Sequence, residues 1–305
     1  MSTLFTTLPS WQVLAFAGDD AQAFLQGQVS SDVRLVRATQ SQYSSYSSPK
    51  GRMLANFLVW QGAEGYRLML SADIAAAIDK RLGMFILRSK VTHRVCDELA
   101  LLGLVGEQAA TLLSARFGAC PEGVHVVWNA GEVSMLCLGP ARYLLALPQD
   151  AAGALMAEWR TAGVAEVDET HWRALDISAG IPWITQPTQE AFVAQMANMD
   201  LIGAVSFTKG CYPGQEIVAR THYLGKLKRR LYRVQCSRDD LAVGESLFSP
   251  EMGAQAIGSI VNVVGSEALA VVQTSCWAQG VHVGAVEGAR LSELPLPYSV
   301  VPVEP

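Results

Sequence analysis

A change of periodicity near residue 226 constrains this chain more than any other feature. Before it, segments with strand alternation and segments with helical spacing take turns. After it, short apolar runs at 231–236, 245–249, 256–264 and 268–274 are separated by Gly, Ser and Asp. No helical period is sustained there, which predicts a small all-β domain. The earlier part predicts strands at 54–60, 66–70, 99–105, 133–138 and 142–147. Helices are expected at 107–117, 150–161 and 168–179, the last ended by Gly180 and Pro182. Asp19 or Asp20 is placed to cap a short helix through Phe24 and Leu25. Ile74, Ile78, Leu82 and Phe85 share one face of another helix. Hairpins such as Leu138-Gly139-Pro140 point to α+β units on mixed sheets rather than a doubly wound parallel sheet. The expected division is 1–225, as two interleaved α+β subdomains, and 226–305.

Composition narrows the function classes. Half of the 305 residues are hydrophobic and 17% are charged, too apolar for a disordered chain. A net charge of −5 gives no global attraction to nucleic acid or anionic lipid. The first basic residue is Arg34, and no uncharged run reaches the roughly 18 residues that span a bilayer. Six cysteines without a CxxC pair fit neither a disulfide framework nor a zinc site. These features predict a cytoplasmic, reduced protein with no metal centre, and monomer is the default.

The segment with the most chemistry is Ser206-Phe207-Thr208-Lys209-Gly210-Cys211-Tyr212-Pro213-Gly214-Gln215-Glu216-Ile217-Val218-Ala219-Arg220. Val205 to Phe207 is read as the end of a strand. Gly210 and Gly214 allow a tight turn where backbone can approach a ligand. Pro213 suits the first position of a helix, with Glu216 in its first turn. Cys211 would then lie before a helix N-terminus and two residues from Lys209, a setting that favours thiolate. The competing reading makes Cys211 a small turn residue and Lys209 a solvated charge.

Lys209-Gly210-Cys211-Tyr212-Pro213-Gly214-Gln215-Glu216 resembles the K-G-C-Y-x-G-Q-E signature of the YgfZ family. The resemblance extends to Phe24-Leu25-Gln26-Gly27-Gln28-Val29-Ser30-Ser31-Asp32-Val33, to Ser48-Pro49-Lys50-Gly51-Arg52-Met53 and to Leu294-Pro295-Leu296-Pro297-Tyr298. It implies the fold of the glycine-cleavage T-protein, an aminomethyltransferase. That fold is a ring of two interleaved ferredoxin-like α+β units plus a C-terminal small β-barrel, with tetrahydrofolate or a one-carbon derivative in the central hole. It also implies an accessory role in maintaining iron–sulfur enzymes, including those that thiomethylate tRNA. Cys211 takes the role of the family's essential cysteine, and Trp11 and Trp172 those of its folate-binding tryptophans.

The residues themselves add detail to that picture. A pteridine needs an apolar or aromatic wall and a few aligned polar groups. Gln28, Gln195 and Asn198 are polar residues in apolar stretches, although Asn198 could equally cap backbone. Lys50, Arg52 or Arg220 could hold the glutamate tail. In the aminomethyltransferases the hairpin carries adjacent aspartates, where this chain has Met53-Leu54-Ala55-Asn56. Without a carboxylate for acid–base work, aminomethyl transfer is disfavoured, and no turnover of its own is expected. Should it be an enzyme, it would be a folate-dependent one-carbon transferase.

Two constellations remain. Lys226, Lys228, Arg229, Arg230 and Arg233, with Tyr223 and Tyr232 nearby, are read as a solvated strand edge guarded by cations rather than a nucleic-acid patch. Cys211 and His222 would make a conceivable nucleophilic pair, with no orienting third group identifiable.

Overall fold

The computed structural model describes residues 2–225 and 227–300. By contact these form two compact units. The first comprises residues up to Ser44 together with Phe57–Trp172. The second comprises Ser45–Asn56 and the chain from Arg173 onward. The change in sequence character at 226 therefore falls inside the second unit, and Lys226 itself lies outside the described residues.

The chain begins with β1 (Leu4–Thr7), β2 (Trp11–Ala17), α1 (Ala21–Gln26) and β3 (Gln42–Ser47). It continues through β4 (Met53–Gly62), β5 (Gly65–Ser71), α2 (Ala72–Gly83), β6 (Thr92–Val95) and β7 (Leu99–Val105). After α3 (Ala109–Phe117) come β8 (Val127–Ala130), β9 (Val133–Gly139), β10 (Arg142–Pro148), α4 (Gln149–Thr161) and β11 (Ala165–Glu166). Two sheets result, in the orders β11-β1-β7-β10-β9-β8 and β3-β4-β5-β2-β6. Only β1 and β11 pair in parallel in the first sheet, so it is mixed, as the hairpins of the sequence imply. Its apolar face packs Phe5, Leu102, Leu104, Met135 and Leu145 against Leu113 of α3 and Leu155 and Trp159 of α4.

Two local readings change here. Asp20 stands at the N-cap of α1 with no side-chain bond to the helix, because its carboxylate accepts the Lys90 backbone N–H at 2.7 Å. Ile74, Ile78 and Leu82 of α2 are buried, but the helix ends at Gly83 and leaves Phe85 exposed.

In the second unit, α5 (Glu169–Ala179), which starts in the first, ends at Gly180 (φ +67). From Gly180 to Gly214 the chain forms no α-helix and no strand among the described residues, only short 3-10 turns. The expected strand end at Val205–Phe207 is irregular backbone. Then follow α6 (Gln215–Tyr223), β12 (Arg229–Cys236), β13 (Ser246–Phe248), β14 (Gly258–Val264), β15 (Glu267–Gln273), β16 (His282–Val283) and β17 (Leu291–Leu294). The last six strands form one sheet, β16-β13-β14-β15-β12-β17. It curls until its ends meet, with Leu291 N–H donating to Val281 O at 2.8 Å and Val283 N–H to Ala289 O at 3.0 Å. Val234, Ile260, Ala270 and Val272 fill its interior.

The cationic run does not guard an edge, because β12 lies between β15 and β17. Arg230 is buried and grips Asp200 through both terminal guanidinium nitrogens, at 2.7 and 3.0 Å. Arg233 pairs with Glu267 at 2.8 Å.

An irregular segment of this length has no ladder to satisfy its backbone, and buried peptide groups need partners. Side-chain amides supply several. Asn56 on β4 donates to Pro182 O and accepts from Ile184 N–H, both at 2.8 Å. Asn262 accepts from Trp183 N–H at 2.8 Å and donates to Trp183 O at 2.9 Å. Gln189 donates to Leu54 O at 2.9 Å.

Asn56 is almost wholly buried and uses its amide as donor and acceptor at once, which a carboxylate cannot do. Asn56→Asp should set an oxygen against Pro182 O and cost about 1–3 kcal/mol. The midpoint of denaturant unfolding measures this, and an unchanged midpoint refutes the assignment.

Candidate functional site

The signature segment is held from below by glycine. Gly214 is the N-cap of α6 with φ +79. A Cβ there would lie 2.7 Å from Gly51 Cα and 2.7 Å from Ser48 O. Gly51, at φ +72, closes the turn between β3 and β4, donating its N–H to Ser48 O at 2.8 Å. A Cβ at 51 would come within 2.7 Å of Ile217 Cβ. The hairpin tip and the start of α6 thus touch backbone to backbone. Both glycines are required by conformation and by space.

On that foot, Tyr212 and Gln215 clasp each other. Tyr212 N–H donates to the Gln215 side-chain Oε1 at 3.0 Å, and Gln215 N–H donates to Tyr212 O at 3.2 Å. Helix α6 therefore starts at Gln215, and Pro213 stands before the N-cap rather than at the first helical position. Glu216 lies in the first turn as read from the sequence. The Tyr212 ring is buried, and burial pushes its phenol up to about 12. Lys209, also buried, places its ammonium 5.0 Å from the centroid of that ring, a cation–π contact.

Cys211 is exposed, as is Gly210 beside it. Four of the other cysteines, Cys96, Cys137, Cys236 and Cys276, are buried. A Cβ on Gly210 would meet nothing within 4 Å, so nothing in the structure requires glycine there. His222 is stacked flat on Phe207, with ring centroids 3.7 Å apart and planes 13° from parallel. Tyr223 meets both rings edge-on.

The residues read as pterin contacts fall in both units. Asn198, at φ +55, is buried and donates to Leu231 O at 2.9 Å while accepting Leu231 N–H at 3.3 Å. Its amide serves the backbone of β12. Gln195 donates to Val218 O at 2.6 Å, leaving its buried Oε1 without a hydrogen bond among the described residues. Arg220 is exposed on α6, and Lys50 is exposed at the hairpin tip. Arg52 donates to Ala191 O at 2.7 Å.

In the first unit, Trp11 and Trp172 are buried. The Arg142 guanidinium lies over the Trp172 ring at 4.1 Å. The six-membered ring of Trp172 also lies against Gly103, where a Cβ would come within 2.4 Å. Gln28 keeps a buried Oε1 with no hydrogen bond among the described residues.

The sequence reading missed the pairing of Gly51 with Gly214, although each stood in a quoted motif. The turn Ser48-Pro49-Lys50-Gly51 carried the signal, since it calls for glycine, but not the identity of its neighbour. Among the described residues no group of three or more His, Cys, Asp or Glu is placed to hold a metal ion. No described helix is long and apolar enough to cross a membrane.

Gly214→Ala should cost about 1–3 kcal/mol through strain at positive φ alone. Gly51→Ala would push Ile217 of the same helix off the hairpin tip, so in a denaturant double-mutant cycle the pair should cost less than the sum of the singles. Strict additivity would show that the two glycines act separately. Tyr212 has a separate signature in pH. Its raised phenol contributes stability in full below pH 10, and that stability is lost as the pH climbs through about 12. Wild-type stability should fall more steeply than that of Tyr212→Phe over this window. Parallel curves would refute it.

Comparison with known proteins came from three directions. No family model matches the chain. It is 32% identical over 237 residues to a protein of Edwardsiella ictaluri (strain 93-146) named tRNA-modifying protein YgfZ, covering 77% of this chain and 71% of that one. It is 33% identical over 245 residues to the protein of the same name from Yersinia pestis (strain Pestoides F), covering 77% and 74%. Among solved structures, the glycine cleavage system aminomethyltransferase T from Bartonella henselae superposes with a TM-score of 0.79. It covers 96% of this chain and 85% of that one at 19% identity, which establishes a shared fold.

Proposed function

The chain belongs to the YgfZ family, and from that premise we propose that it is a folate-binding accessory protein of tRNA modification. It would support iron–sulfur enzymes that thiomethylate tRNA, with Cys211 as the reacting group. The observation that carries this reading is the exposed thiol on a rigidly footed loop. Cys211 is presented outward while Lys209, Tyr212 and Gln215 turn inward or onto one another. A turn residue needs no such mounting; a sulfur that must meet another macromolecule does. One thiolate cannot hold an iron–sulfur cluster, which usually takes four. Any cluster that Cys211 touches therefore keeps its other ligands on a client.

The ligand of the reading is tetrahydrofolate or a one-carbon derivative, which brings a flat pterin with a donor edge and nitrogens that carry one-carbon units. Gln28 fits it, since a buried acceptor with no hydrogen bond among the described residues is costly unless a ligand donor meets it. Trp11, in the same unit as Gln28, would supply apolar wall. Trp172, with Arg142 over its ring, would build the wall rather than stack on the pterin. Asn198 would have to release Leu231 to reach a ligand, so its contribution is to hold β12 in place.

The fold alone would also suit an aminomethyltransferase. Asn56 stands against that chemistry, because it is neutral, buried and bonded through both ends of its amide. It can neither take a proton nor balance a developing cation.

Cys211→Ser should abolish the support of tRNA thiomethylation in cells lacking the wild-type chain. Folate affinity, read by quenching of tryptophan fluorescence, should change by less than about twofold, and Gln28→Ala should weaken it about tenfold, the loss of one buried hydrogen bond. Unchanged thiomethylation in the serine variant would overturn the role of Cys211. Absence of any quenching by tetrahydrofolate would overturn the ligand.

A further inference from the structure

Helix α6 presses only Val218 fully into the protein. Ile217 and Leu224, seven residues apart and so on one stripe, stay exposed, Leu224 by 83%. Beside this stripe runs an open groove of about 540 Å³, lined entirely by residues of the second unit. Its apolar surface comes from Val193, Met196, Ile217, Leu227 and Met252. Of these Ile217 is exposed, Met196, Leu227 and Met252 are half-buried and Val193 is buried; an open apolar trough of this kind suits an interaction site, and methionine adapts to varied partners.

Charge selects the occupant. Lys228 and Arg229 line the groove, and among the described residues no carboxylate does. No ion pair among the described residues involves either of them, while Arg230 and Arg233 on the same strand are paired with Asp200 and Glu267. Glu216 and Glu251 adjoin lining residues in sequence and are exposed, but neither lines the groove. Arg229 donates to Ala256 O at 3.3 Å but meets no carboxylate among the described residues, and an apolar trough rimmed by two such cations fits an amphipathic helix with aliphatic anchors and flanking carboxylates. Single-stranded nucleic acid would need rings on which bases can stack, and among the described residues no aromatic side chain lines this trough.

We infer that the groove along α6 is the docking site for an acidic amphipathic helix of the client protein. This rests on the function proposed above and names the surface by which the client reaches the thiol. Cys211 lies four residues before the first residue of α6, so a helix seated against Ile217 and Thr221 brings its protein to the exposed sulfur.

The test uses the full chain and two fluorescein-labelled synthetic helices of about four turns. Both carry leucines at i, i+3, i+4 and i+7; one has glutamates at the remaining positions, the other lysines. By fluorescence anisotropy the glutamate peptide should bind at least tenfold tighter than the lysine peptide. Met252→Glu should weaken it at least tenfold, and the double substitution Lys228→Glu with Arg229→Glu should reverse the preference. Hydrogen exchange should slow in residues 217–229 on binding. Equal affinity for the two peptides, no binding, or protection elsewhere would overturn the inference. So would protection of the same segment by unmodified tRNA transcript but not by peptide, which would assign the groove to nucleic acid. The double variant should keep full folate quenching. If it also keeps full support of thiomethylation while Cys211→Ser does not, the docking site falls and the role of the thiol stands.

Discussion

Two peptide units in contact, at Gly51 and at Gly214, are the foundation on which the site is built. Neither residue has a side chain to contribute, and that is the point: a single methyl on either one would overlap the other segment's backbone or Ile217. Because interiors are close-packed and deform little, such a contact fixes the start of α6 against the hairpin tip. The Tyr212–Gln215 clasp and the Lys209–Tyr212 contact are built upward from it. What is left over, pointing outward, is one sulfur atom.

The second organising constraint is the backbone of residues 180–214. A stretch that long without α-helix or strand should be a poor candidate for burial, yet Trp183, Ile184, Ala194 and Ala197 are buried. Asparagine and glutamine resolve the conflict. Asn56, Asn198 and Asn262 each bond backbone through both ends of an amide, acting as one rung of a ladder that the segment cannot form with itself. Arg230 adds a bond to Gln195 O while its ion pair with Asp200 neutralises it. These polar groups look like ligand contacts in the sequence because buried amides serve both purposes with the same geometry.

That ambiguity explains where residue-level reading worked and where it failed. The signature around Cys211 was legible because glycine, proline and lysine at fixed spacing restrict a loop whatever surrounds it. Asn198 stands between ligand contact and backbone cap in the sequence, since an amide in an apolar stretch only announces that some partner exists. Pro213 was displaced from the helix because Gln215 turned its side chain back to Tyr212 N–H and set the start of α6 itself. The arginines of β12 read as an edge because a strand's neighbours cannot be seen in its own sequence; β15 and β17 flank it, and acids far along the chain meet its charges.

The sequence by itself determined the α+β succession, the all-β end, the glycine-bound loop and the cysteine it carries. All of these follow from local periodicity and local conformational preference. Tertiary structure alone decided that Gly51 faces Gly214, that Asn56 and Asn198 serve backbone, that Trp172 lies beneath Arg142, and that the apolar stripe of α6 borders a cationic trough. Each of these joins residues far apart in the chain. Only the closing of the fold brings such groups within bonding distance, so no window of sequence contains the information.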